Sequence, residues 1–471
     1  MRFSHHPRKE TLTSLSDAAF RPFWLDDPKR PEPVAALTTS TTADLAIIGA
    51  GFTGLWTALL AKEADSSQDV VMLEADEVAS GASGRNGGFV DASLTHGFGN
   101  ALEHWPDEIS TLLALGHTNL DVIAETVTRL GIDCDFLRSG ELTVAIEPYQ
   151  VEELHETLKE AVHYGERYEW LEREQVAAQI NSPTYLGALY NRSVAMVNPA
   201  RLAWGLRKAC LDLGVRLYEH TPVISLADDE KAILARAPHG HVRARRIALA
   251  TNAYPPLFKR LSSYILPIYD YVLVTEPLAM TQWESIGWKG RQGVGDAANQ
   301  FHYYRTTADG RILWGGYDAV YHWNNGFSSK LNKNPEVFGR LAEHFFQTFP
   351  QLEGLSFTHA WGGPIGTTSR FTVFWGTTCE ARMAYALGYT GLGVGASRFG
   401  AQVLLDLLGG SENERTKLEM VRSKPTPFPP EPLRSIVINL TQHSLDQADR
   451  NEGRRNLWLR TLDRLGLGFG S

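Results

Sequence analysis

Apolar residues in this chain come in short runs punctuated by glycine, and the period of the runs changes along its length. Asp44-Leu-Ala-Ile-Ile48 and Val70-Val-Met-Leu73 are brief, strongly apolar stretches and predict strands. Within 101–130, Leu112, Leu113, Leu120, Ile123, Val127 and Leu130 recur at helical spacing, whereas Glu141-Leu-Thr-Val-Ala145 alternates as a half-buried strand does. A helix is predicted from Pro199 to Cys210, a strand over 214–219, and a strand over 246–252 that ends in the small polar pair Thr251-Asn252. Residues 264–320 are rich in β-branched and aromatic types, and Asp309-Gly310 marks a hairpin between 302–305 and 311–314. A last helical pattern runs from Ala401 to Leu408.

These elements imply an α/β chain combined with an α+β part: a Rossmann-like nucleotide-binding domain and an interleaved substrate domain built on a mixed or antiparallel sheet. The nucleotide domain is expected to be discontinuous, over 44–92, 195–258 and 355–410, and the substrate domain to fill 93–194 and 259–354. Residues 1–43, with Phe20, Phe23 and Trp24 ahead of a Pro- and Thr-rich stretch, read as an arm and linker. Residues 411–471 read as a tail ending in a basic amphipathic helix, an extra clamp or contact surface. With 471 residues, 43% of them hydrophobic, the chain is long enough for two cores.

The chemistry enters with Gly49, Gly51 and Gly54, a G-x-G-x-x-G directly after the first strand, and with Glu74 closing the second strand twenty residues beyond. The first glycine permits a tight turn, the second lets backbone N–H groups approach a pyrophosphate, and the third brings helix and strand together. The intervening Ala50, Phe52 and Thr53 present the helix N-terminus, where a phosphate is stabilised. An acid at the strand tip accepts from ribose hydroxyls and argues against a 2′-phosphate. The run Ala79-Ser-Gly-Ala-Ser83-Gly84-Arg85-Asn86-Gly87-Gly88 exposes many backbone N–H groups and suits a flat polar ligand such as an isoalloxazine. A second glycine cluster, Gly388 to Gly395, again leads into a helix.

Taken together these segments resemble the D-amino-acid oxidase superfamily of FAD enzymes, the group with glycine, sarcosine and gamma-glutamylputrescine oxidases. The last is most similar, through Ser83-Gly-Arg-Asn-Gly-Gly88. The resemblance spans roughly residues 40–410 and implies FAD, bound without a covalent tether because the 83–88 loop has neither Cys nor His. It assigns Glu74 and Ala75 to the adenosine half, Val223 to the adenine through its backbone, Thr251 and Asn252 to the pyrophosphate, and Gly391, Leu392, Gly393 and Val394 to the flavin. It implies oxidation of a small primary or secondary amine or amino acid to an imine by hydride transfer to flavin N5, then hydrolysis to a carbonyl compound.

No catalytic residue is assigned from the sequence. Candidates for the substrate pocket are Tyr269, Tyr271, His302, Tyr303, Tyr304, Arg305 and Trp314, with Trp361 in a Trp-x-Gly that resembles the family's. Alternation sets Tyr303 and Arg305 on one face and His302 and Tyr304 on the other, and only one face sees the flavin. Arg305 and Arg370 are candidates for a substrate carboxylate or phosphonate. Two departures stand out. Where relatives carry an acid and a proline, this chain reads Thr367-Thr-Ser-Arg-Phe-Thr-Val373; and the strand over 311–316 lacks the lysine that oxidases place near N5, Trp314 being its nearest counterpart. An amine dehydrogenase using an acceptor other than oxygen, a flavin-holding subunit of a complex and an NAD-binding module therefore remain alternatives.

Charge and cysteine usage narrow the partners. A net charge of −9 with no basic run excludes nucleic acid. Cys134, Cys210 and Cys379 lie far apart, which indicates neither disulfides nor zinc and fits a reducing, cytoplasmic setting. No apolar run of about 18 residues suggests a membrane span, and His5-His6 reads as a solvated tail rather than a metal site.

Overall fold

The computed structural model describes residues 3, 4 and 6–467, so His5 lies outside the described residues. The two short apolar runs are the centre of a parallel sheet. Its strands lie in the order Met383–Leu387, Gly240–Leu249, Thr41–Ile48, Val70–Leu73, Arg216–Tyr218, with Phe374–Thr378 antiparallel at one edge. Alternate residues of each strand enter different cores, which is why the runs are apolar throughout. Leu45, Ile47, Val70 and Met72 pack under the helices Phe52–Ala64, Pro199–Asp212 and Gly393–Gly409, while Ala46, Ile48, Val71 and Leu73 face Ile233, Ala235, Phe374 and Tyr385.

The second sheet runs Val320–Tyr321, Leu266–Thr275, Ile312–Gly316, His302–Thr306, Gly293–Asp296, Glu141–Ala145, Gly187–Asn191, Tyr168–Glu172. The hairpin at Asp309-Gly310 closes as its sequence predicts, with Thr306 opposite Ile312. Phe357–Thr367 pairs with Leu266–Thr275 along its length, so this segment belongs to the second sheet. The expected boundary at residue 355 is therefore too early: the chain rejoins the parallel sheet with Phe374. The helical pattern over 101–130 is also interrupted, into Gly97–His104 and Ile109–Arg129. Pro106 lacks an N–H and disfavours helical geometry at Trp105, which breaks the run there.

The arm around Trp24 and the tail helices fold back on the body. The indole N–H of buried Trp24 donates to Asn86 O at 2.9 Å. The tail forms the helices Leu433–Arg450 and Leu457–Arg464. Asp449 pins the first of them, accepting from the Asn299 N–H (3.0 Å), the Asn299 side chain (2.6 Å) and the Gln300 N–H (3.1 Å). No helix among the described residues is long and apolar enough to cross a membrane.

Candidate active site

The turn after Ile48 shows why glycine recurs at fixed spacing. Gly49 has φ +100°, a region costly to side chains, and a Cβ there would lie 2.8 Å from Ala250 O. A Cβ on Gly54 would fall 1.9 Å from Gly49 O, so only glycine lets the helix sit on the strand. Ser83 Oγ accepts from the Phe52 N–H at 2.9 Å and ties the 83–88 loop to this helix N-terminus. Glu74 stands beside the turn, its carboxylate accepting from the Ala50 N–H (2.7 Å) and the Asp76 N–H (3.1 Å). Burial raises its pKa, and these hydrogen bonds pull the other way.

A cavity of about 720 Å³ opens from this corner and continues to the second sheet. Gly49, Gly51, Phe52, Thr53, Glu74 and Ala75 line it at one end, with Val223, Thr251 and Asn252 beside them. Ser83, Arg85, Asn86 and Gly87 form one wall, and Gly391, Leu392, Gly393 and Val394 another. Ala50, Gly54, Gly84 and Gly88 are not in the lining; Gly88 (φ +78°) lies against Val197 O, 2.2 Å from where its Cβ would be. Two helix N-termini, those of Phe52–Ala64 and Gly393–Gly409, thus open into one cavity, neither capped by the side chain of its own N-cap residue, Gly51 or Leu392. Helix N-termini favour negative charge. The donor set fits a dinucleotide: first-turn N–H groups for phosphate, an acid for ribose, and a glycine wall at Gly391, where an added Cβ would meet nothing within 4 Å.

At the other end, strand alternation decides what faces the cavity. Asp270, Val272, Tyr303 and Trp361 line it. Tyr269, Tyr271, His302, Tyr304 and Trp314 do not: they point to the opposite face, into a core with Phe338, Phe345 and Phe349 from the helix Pro335–Thr348 and its end. His302 is spoken for there, bonded to Asp296 (2.7 Å) and His344 (2.9 Å). Arg305 shares the Tyr303 face but lies beneath the cavity wall, donating to Gly88 O (3.1 Å) and Val197 O (2.7 Å). Arg370 is structural too, holding Val373 O and Met420 O at 2.8 and 2.9 Å and Ser423. Neither arginine reaches a substrate in the cavity. Trp314 is likewise no stand-in for a lysine near the flavin, since Leu313 and Gly315 occupy the other face of its strand.

Several cavity residues escaped sequence reasoning. Asp270, hidden between two tyrosines that face away, accepts a 2.5 Å hydrogen bond from the Tyr303 hydroxyl, and burial pushes its pKa up to about 6. Asp91 is likewise pushed up to about 6 and Glu141 to about 8, both chiefly by burial. Burial lowers His96 to about 4, so it is neutral near pH 7. From the tail, Val437, Ile438, Thr441, Gln442, Leu445 and Leu462 complete the wall. No cluster of metal-ligating side chains occurs among the described residues.

A Rossmann-like sheet opening through one cavity onto a second sheet defines a nucleotide-dependent oxidoreductase of the two-sheet flavoprotein type. The chain matches the family of FAD dependent oxidoreductases, DAO, over residues 44–407, and it belongs to that family; FAD is its cofactor. Gamma-glutamylputrescine oxidoreductase of Escherichia coli is 32% identical over 388 residues, covering 80% of this chain and 86% of that protein. A probable oxidoreductase of Haemophilus influenzae is 26% identical over 411 residues, covering 85% and 90%. Among solved structures, glycine oxidase from Geobacillus kaustophilus shares the fold, with a TM-score of 0.66 at 19% identity over 79% of this chain and 96% of that one.

Proposed function

We propose that this FAD enzyme oxidises a small primary or secondary amine to an imine, which water then hydrolyses to a carbonyl compound. FAD, when bound, takes up the hydride equivalent released from the donor carbon. The observation that carries the reading is a single cavity with two unlike ends: backbone N–H groups and Glu74 at one, Tyr303, Trp361 and the carboxylates Asp91, Glu141 and Asp270 at the other. The relative from Escherichia coli, by its name, acts on an amine-bearing donor, which agrees.

In this reading Gly49 to Gly54, Glu74, the 83–88 loop, Val223, Thr251, Asn252 and Gly391 to Val394 hold FAD without a covalent bond. A protonated amine must first lose its proton to release hydride. Asp270 is the carboxylate we assign to receive it, with Tyr303 holding its Oδ2. Leu445 and Leu462 from the tail keep the cavity wall apolar and limit water.

Anaerobic mixing of the purified yellow protein with a panel of amines tests this. Loss of the flavin absorbance band is expected with at least one primary or secondary amine. An enzyme whose FAD dithionite reduces but no amine does would refute the assignment. One observation favours an acceptor other than oxygen: no lysine lines the cavity among the described residues. Comparing peroxide release with dye reduction for one active amine separates oxidase from dehydrogenase.

A further inference from the structure

The carboxylates of the cavity differ in the company they keep. Asp318 is paired with Arg340 at 2.6 Å, Glu74 takes two backbone N–H groups, and Asp270 takes the Tyr303 hydroxyl. Asp91 accepts from the Ser93 N–H, at 2.9 Å, and from the Ala92 N–H, with no ion pair among the described residues. Among the described residues the Glu141 side chain has neither hydrogen bond nor ion pair; it is half-buried in the cavity lining, and the charge felt there is that of Asp91.

Local structure explains this isolation. Glu141 pairs with Gly293 in a parallel ladder, and a Cβ added to nearby Gly295 would lie 3.5 Å from Glu141 Oε1, so no side chain from that strand reaches the carboxylate. Phe89 and Tyr303 stand at the same end, edge to face with centroids 6.0 Å apart. Among the described residues no cation in the lining answers the acids. Arg85 donates to Ser80 O (2.7 Å) and Gly362 O (3.2 Å), and its charged neighbour is Asp76, on the nucleotide side. His96 is neutral. A substrate carboxylate here would meet like charge, whereas an ammonium would find an enclosed carboxylate and aromatic rings, both of which attract cations.

We propose that the substrate carries a second, distal ammonium, as in a linear diamine or polyamine, and that Glu141, with Asp91 beside it, binds that group while the other amine is oxidised. The proposal rests on the amine oxidation assigned above. An enclosed carboxylate without a partner holds a proton until a cation replaces it. The groups facing Glu141 are Asp91 and the Tyr168 phenol, with the Glu166–His117 pair (2.7 Å) behind them, and burial raises Glu141 to about 8. Affinity for the second ammonium therefore rises as pH climbs through about 8 and then levels.

The test uses the holoenzyme, anaerobically, with 1,4-diaminobutane, 1-aminobutane and 4-aminobutanoate, reading the concentration that half-saturates flavin bleaching. The diamine is expected to half-saturate lowest and 4-aminobutanoate highest. Glu141→Gln should weaken the diamine about 10- to 100-fold more than it weakens 1-aminobutane, as loss of a charge-assisted contact does, with flavin content retained. Should the variant fail to fold, the wild-type enzyme still decides: its preference for diamine over monoamine must grow as pH rises through about 8. Equal half-saturation by diamine and monoamine, or equal weakening of both in Glu141→Gln, overturns the proposal. If no amine bleaches the flavin, the oxidation reading falls. The cation site is then judged by whether 1,4-diaminobutane protects the holoenzyme, but not Glu141→Gln, against heat.

Discussion

The two ends of the cavity are built from different materials. At the nucleotide end the working groups belong to the backbone: N–H groups of the Phe52–Ala64 and Gly393–Gly409 helix starts, with Gly49 and Gly54 so placed that a Cβ would strike a neighbouring carbonyl. At the second sheet they are side chains, Asp91, Glu141, Asp270, Tyr303 and Trp361, contributed by strands far apart in the chain. A backbone site tolerates almost no added atom but is indifferent to many side chains around it. A side-chain site is the reverse. Its selectivity is set by which residues happen to face inward, so the same cofactor corner can serve different donors.

The sharpest way to break this contrast is Gly54→Ala. The new Cβ would meet Gly49 O at 1.9 Å, backbone against backbone, and neither can yield without separating helix from strand. A loss exceeding about 4 kcal/mol is expected, seen as colourless or insoluble protein; a yellow, stable variant would mean the turn is not as described. Glu74→Ala is milder. It removes the acceptor of the Ala50 and Asp76 N–H groups together with the expected ribose contacts, and should weaken FAD retention by roughly 1–3 kcal/mol, measured by flavin release on dilution. Unchanged retention would misplace the adenosine half.

At the other end, Tyr303→Phe probes the pair with Asp270. The Tyr303 hydrogen bond lowers a pKa that burial has raised to about 6, so its loss moves that pKa higher. If Asp270 takes the substrate proton, the acid limb of anaerobic flavin reduction shifts to higher pH in the variant, while FAD content stays the same. An unmoved limb would remove Asp270 from that role. The smallest effect is expected on the far face: Tyr304→Phe loses the 2.7 Å bond to Tyr185 and about 1 kcal/mol of stability, with amine half-saturation within about twofold of wild type. A large change in half-saturation would mean this face does communicate with the donor.

How legible each end was follows from the same difference. Gly49, Gly51, Gly54 and Glu74 are readable because turn geometry demands particular residues at fixed separations. The donor end depends on strand register, which shows which residues alternate but not which set faces inward. Between Tyr269 and Tyr271 the conspicuous aromatics drew the reading, and the inward residue was Asp270. In 302–305 the aromatic and basic candidates split between faces, leaving only Tyr303 in the cavity lining. Glu141 was recognised as part of a strand, yet nothing local marks it as unpartnered, because that depends on Gly293 and Gly295 across the sheet. The tail was expected to be a clamp or contact surface, and its role as a cavity wall through Leu445 and Leu462 depends on anchoring at Asp449, a tertiary contact that no periodicity encodes.

The independence of the two ends is tested most directly by measuring, side by side, FAD affinity of the apoprotein and 1,4-diaminobutane half-saturation of the FAD-saturated enzyme for Glu74→Ala and Glu141→Gln. Crossed effects are expected: Glu74→Ala weakens FAD alone, and Glu141→Gln weakens the diamine alone. If Glu141→Gln sheds FAD, or fully loaded Glu74→Ala loses the diamine, the division of the cavity into a cofactor end and a donor end is contradicted.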